Sequence, residues 1–323
     1  MTSKVLLSII MLSVCISISA QDDPKTVLQV GTSLRYGRAR ELVYYGASTS
    51  QLMSELLWDI PPVLFGELGV SRMLIGNLSA SLSGSMKLAG LQGSMTNYDW
   101  LKDSSGTYFG EEEYQWTHYS RSDVTIAQAW EVDFRISLEP RNSMGFYGGA
   151  RILYWEWTDQ AQEYIYSHLP SGYYDGPPLP AGESPFRFYE GTFGGVNAID
   201  YLQHLLIPYL GISLGHDTPS GRLAWGFSFS PATIAYARDH HKLRDTVFED
   251  YAFPAVSFST GASYVRHSSG PWTAAFTADF TFMPDARSDT VMTKEQQAPV
   301  TYLSQAGIGR MQLSVGMHVQ YRF

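Results

Sequence analysis

What the chain lacks narrows its class before any motif is read. Its only cysteine is Cys15. It lies in a segment, residues 1–20, that reads as a secretory signal peptide: Lys4, an apolar core from Val5 to Val14, and a small residue, Ala20, before Gln21. The mature chain, 21–323, would then form no disulfide, which suits export without requiring it. Leu12-Ser13-Val14-Cys15 loosely resembles a lipoprotein signal, but Val14 is large where such signals carry a small residue. After the signal, no run approaches the roughly 20 apolar residues of a membrane helix.

Charge is also scarce: charged residues make up 16% of the chain, and the formal net charge is -9. A chain short of basic residues is a poor partner for nucleic acid. There is no HExxH, and the D-x-H pair described below lacks an obvious third ligand, so a metal site is not expected.

What is abundant is aromatic surface, 14% of residues, arranged in period two. Met311, Leu313, Val315, Met317, Val319, Tyr321 and Phe323 alternate with Gln312, Ser314, Gly316, His318, Gln320 and Arg322. Such alternation over about 9 to 11 residues gives a tilted membrane strand one lipid face and one polar face. The pattern recurs in Trp130 to Leu138, where Glu131, Asp133 and Arg135 share the polar face, in Leu223 to Phe229, and in Trp272 to Phe282. A soluble sandwich also alternates, but several such strands, a signal peptide and a terminal Phe323 together predict an all-β, antiparallel transmembrane β-barrel. The polar, Pro- and Gly-rich stretch Ser167 to Pro185 reads as a long extracellular loop. No internal repeat and no second domain are expected, and 21–323 forms one barrel of about ten strands.

Residues i and i+2 of a strand project from one face and can act on one atom. Two polar pairs have this spacing near the expected outer rim. Asp239 and His241 follow the Leu223 to Phe229 strand; Asn97 and Asp99 follow Leu82 to Leu91. A carboxylate beside an imidazole orients it and favours its charged form, as a general base requires. Spacing alone equally allows a solvated polar loop.

Several segments read together resemble the omptin family of outer-membrane endopeptidases. They include Gly93-Ser94-Met95, Asp99-Trp100, Asp103-Ser104-Ser105, Trp116-Thr117, Ser120-Arg121, Asp123, Ala129, Glu131 and Asp133. Further matches are Gly31-Thr32, Arg40-Glu41-Leu42-Val43-Tyr44, Ser50-Gln51-Leu52, Tyr154-Trp155-Glu156 and Ile207-Pro208-Tyr209-Leu210-Gly211. The resemblance implies a ten-stranded barrel in the cell outer membrane, with its active face extracellular. There an Asp-His dyad and an opposing aspartate pair hold the water that attacks the peptide bond. It assigns His241 as the base, Asp239 as its orienting partner and Asp99 as one of the opposing pair. Asn97 departs from the pattern, because the family has an aspartate there; activity is therefore expected to be weakened.

The resemblance also implies substrates cut beside basic residues held by acidic groups. Glu41 matches one such group, whereas Ala237 stands where the other belongs, so a looser basic preference is expected. No cofactor is expected beyond lipopolysaccharide or another outer-membrane lipid. Tyr154 and Glu156 match part of the family's lipid-binding ladder, but Thr158 and His204 replace basic members, which weakens phosphate binding. Tyr154 and Glu156 equally suit a plain aromatic girdle. Two rival functions remain, a non-catalytic adhesin or receptor and a passive pore.

Overall fold

The computed structural model describes residues 26–101, 116–138, 143–167 and 188–323. The expected signal peptide, Asp103 to Ser105 and nearly all of the Ser167 to Pro185 stretch lie outside them; Ser167 itself ends a strand.

The segments are β1 (Thr26–Tyr44), β2 (Leu52–Ile75), β3 (Leu78–Gly90), β4 (Gly93–Asp99), β5 (His118–Leu138), β6 (Met144–Ser167), β7 (Phe188–Val196), β8 (Ile199–Thr218), β9 (Gly221–His241), β10 (Thr246–Arg266), β11 (Trp272–Lys294) and β12 (Val300–Arg322). All pairings are antiparallel. β3 and β4 both pair with β2 and β5, and β7 and β8 both pair with β6. Each of these two pairs therefore acts as one interrupted strand. The ring has ten strands, and β1 closes it on β12. Closure leaves no unpaired edge in the lipid, where an unsatisfied peptide group has no water to bond.

Alternation sorts the side chains as the sequence predicts. Val30, Leu34, Leu210, Ile212, Trp225, Phe227, Phe280, Leu313 and Val315 are exposed around one zone, which forms the lipid-facing belt. The short turns at 76–77 and 219–220 lie at one end, with the start of β1 and the end of β12. The strands run far past the belt at the other end. There, beyond Tyr36 and Ile234, the outer face turns polar: Arg38 pairs with Asp59 at 3.0 Å, Arg40 with Glu55 at 2.5 Å, and Tyr236 with Glu249 at 2.8 Å. The strands of 19 to 24 residues thus outgrow the length expected from bilayer thickness alone, because their upper parts form a second, water-facing wall. That wall carries the residues of interest, so Asp239, His241, Asn97 and Asp99 belong to strands β9 and β4 rather than to loops following them.

The lumen is filled in two layers. In the lower layer, Arg35 lies 2.5 Å from Glu131 and 3.2 Å from Glu67, His318 2.5 Å from Glu67, and Arg151 2.9 Å from Asp133. These groups border a cavity of about 470 Å³. Above it, Trp58, Trp155, Trp157 and Tyr201 are fully buried and stacked, with Trp58 and Tyr201 4.9 Å apart and Arg310 4.5 Å above the Trp155 ring. This aromatic layer is the floor of the cleft.

Candidate active site

The walls above the floor come from β1, β2 and β4 on one side and β8, β9 and β10 on the other. Directly opposed residues of an antiparallel ladder share a face. Asp239 sits opposite Tyr201, a floor residue, and His241 opposite Ile199, so both project inward. Asn97 sits opposite Leu56, and Asp99 opposite Ser54 and His118, all of which line the interior.

The expected dyad is formed. His241 Nε2 lies 2.6 Å from Asp239 Oδ2, and Asp239 is only 2% exposed. Phe248, opposite Asp239 on β10, sets its ring edge-on to the imidazole at 5.5 Å and limits its rotation. Among the described residues Asp239 Oδ1 has no hydrogen-bond partner.

Across the cleft, Ser54 Oγ donates to Asn97 Oδ1 at 3.0 Å, and the Asn97 amide donates to Asp99 Oδ2 at 3.4 Å. The amide thus bonds Asp99 where a second carboxylate would repel it. Burial raises the Asp99 carboxyl above its ordinary range; Ser54, the Arg244 charge, the Asn97 amide and His241 oppose that rise. The Arg244 and His241 charges that act on Asp99 belong to the opposite wall.

Arg244 was not anticipated. It ends the 3-10 turn Lys242–Arg244 after β9, and Asp245 closes that turn in the left-handed region at φ 43°. The turn folds Arg244 back onto its i-3 neighbour, and its guanidinium lies 2.8 Å from His241 Nδ1. An arginine among loop residues carries no periodic signal, so only the turn geometry reveals it.

Glu41 is 3% exposed on β1, opposite Leu56 and Ile308, at the level of the dyad. Its carboxyl is pushed well above the usual range by burial, then by the charges of Asp239 and Asp250. Tyr154 and Glu156 lie on the outer face of β6 instead. Tyr154 donates to Glu156 at 3.1 Å and stacks on Trp130 at 5.4 Å, with His204 beside it. The structure therefore brings Asn97, Asp99, Asp239, His241 and Glu41 into one cleft and leaves the two ladder residues on the outer face. Among the described residues no group of three or more His, Cys, Asp or Glu has a metal-holding arrangement.

A closed ten-strand barrel with a lipid belt, and above it a carboxylate-imidazole dyad facing Ser54, Asn97 and Asp99, defines the class: an outer-membrane β-barrel with a polar cleft at one end. The sequence model of the Omptin family matches residues 24–323, and the chain belongs to that family. It is 24% identical over 300 residues to the plasminogen activator of Yersinia pestis, covering 90% of this chain and 88% of that one. It is 26% identical over 212 residues to protease 7 of Escherichia coli O157:H7, covering 64% of this chain and 60% of that relative. The crystal structure of the outer membrane protease OmpT from Escherichia coli superposes with a TM-score of 0.79 at 19% identity, over 95% of this chain and 99% of the other, and supports the fold. The protein is thus a peptide hydrolase of the cell outer membrane. Of the functions left open by the sequence, protease stands, ahead of adhesin or receptor and pore.

Proposed function

We propose that the protein is an endopeptidase in which His241, oriented by Asp239, draws a proton from a water that attacks the peptide bond. The observation carrying this reading is the 2.6 Å contact between His241 and a buried Asp239, facing Asp99 across the cleft. Asp239 fixes one imidazole nitrogen and stabilises the imidazolium as it forms. The other nitrogen is free to take the proton once Arg244 turns aside. Water is the nucleophile, so no acyl-enzyme forms.

Asp99 supplies the opposing negative charge. Asn97 holds the water by hydrogen bonding but adds no charge, which slows the reaction relative to a carboxylate pair. Glu41 binds a basic side chain next to the scissile bond, making peptides and proteins with exposed basic residues the substrate class. At the outer face, Tyr154 and Glu156 form a weak contact for an outer-membrane lipid, since Thr158 offers no charge for its phosphate.

Refolded protein in detergent with lipopolysaccharide, given a fluorogenic dibasic peptide, tests the catalytic reading. Cleavage that His241→Ala removes supports it. Cleavage that His241→Ala leaves intact, or a wild-type protein that cuts no peptide bond, refutes it.

A further inference from the structure

The expected loosening of basic preference rests on Ala237, which takes the place of an acid on β9. On the neighbouring strand β10, Asp250 lies directly opposite Ala237 in the ladder. Opposed residues share a face with Cβ atoms roughly 5 Å apart, so Asp250 projects into the space an acid at 237 would occupy. Ala237 itself is fully buried and small, which leaves that space open to the longer side chain.

The burial of the acids here is unusual. Asp250 and Glu41 are each 3% exposed, and Asp250 Oδ1 and Glu41 Oε2 have no hydrogen-bond partner. Among the described residues neither forms an ion pair with a Lys, Arg or His. The charge of Asp250 is felt at Glu41, although the two sit on different walls of the cleft. Their neighbours do not neutralise them: Glu41 contacts Trp58 and the acid Asp239, and Asp250 contacts Thr290. Buried carboxylates that repel one another are costly unless a cation completes them. The acids have no metal-holding arrangement, and Trp58, which contacts Glu41, is stacked on Tyr201 with their planes 11° apart. Aromatic rings beside paired carboxylates suit a planar cation better than a spherical one.

We propose that Asp250 is the second carboxylate of the substrate pocket, clamping with Glu41 the guanidinium of an arginine beside the scissile bond. The acid has moved to the adjacent strand, and strong selection for a basic residue is retained. This extends the proposed proteolytic function and rests on the same cleft.

The test compares peptides that differ only in arginine against citrulline, which keeps the shape and loses the charge. A charge-assisted hydrogen bond to a buried group supports a fall on the order of 10- to 100-fold in the Arg-over-citrulline ratio of kcat/KM for Asp250→Asn. Adding Ala237→Asp to that variant is expected to restore most of the ratio. An unchanged ratio in Asp250→Asn, or equal losses on both peptides, overturns the proposal. Binding of the arylamidinium probe 4-aminobenzamidine, followed by its fluorescence, needs no catalysis. A Kd about tenfold weaker in Asp250→Asn supports the pocket even if the wild type cuts no peptide, and an unchanged Kd overturns it.

Discussion

The lower lumen and the upper cleft are built from the same residue types and treat charge in opposite ways. Below the aromatic floor, Arg35 is held by Glu67 and Glu131, and Arg151 by Asp133, so buried charges meet partners within the chain. Above it, Glu41, Asp239 and Asp250 are just as buried, yet each keeps an oxygen without a hydrogen bond. Opposite charges matched within the chain fill a barrel; a surplus of carboxylates, in which only Asp239 has a basic partner, His241, prepares it for something that arrives from outside. The floor separates these uses.

If the division is real, mutations should act differently on its two sides. The largest effect belongs to the cleft: His241→Ala is expected to lower kcat on the order of 1,000-fold, the scale of a lost general base, while the urea midpoint of unfolding barely moves. Arg35→Met, below the floor, should do the reverse. It leaves Glu131 with only the Gln312 amide and Glu67 with His318 and Ser33, and should cost about 3 to 5 kcal/mol in unfolding free energy with little change in KM. A large loss of activity without loss of stability in Arg35→Met would erase the contrast. Asn97→Asp completes the opposing pair and should raise kcat roughly 100-fold, by the worth of one electrostatic group at a transition state. No gain would mean that the Asn97 amide already does what a carboxylate would.

The smallest effect is on pH dependence. Burial holds the Glu41 proton above the ordinary carboxylate range, so in the proposed pocket Glu41 is neutral at low pH and binds a guanidinium only once ionised. The KM for an arginine peptide should therefore fall as pH rises beyond that range, by about tenfold, and Glu41→Gln should flatten this limb. A KM limb that persists in Glu41→Gln would assign the titration elsewhere.

Much of this was legible in the sequence because a strand writes its environment in period two. The belt on β9, β11 and β12 and the lumen charges of β5 appear as alternation, and Asp239-x-His241 and Asn97-x-Asp99 as polar pairs on one face. Their chemistry came from family resemblance, since spacing could not tell a dyad from a solvated loop. Asp250 was hidden because it sits beside Glu249, and two adjacent acids do not show which of them faces inward. Only the register of β9 against β10 shows that Glu249 points out towards Tyr236 while Asp250 points in. Arg244 was hidden for another reason, since a short 3-10 turn with a left-handed residue has no periodic signature.

The floor of Trp58, Trp155, Trp157 and Tyr201 also governs traffic. A cleft sealed at its base has one doorway, so cleaved fragments must leave by the route along which intact chains arrive. On the proposed role of Glu41 and Asp250, the fragment that keeps the basic residue departs last, because the acids that select it also retain it. Turnover on abundant substrate is then paced by that departure, and short peptides with a basic C-terminus compete with new chains for the same mouth.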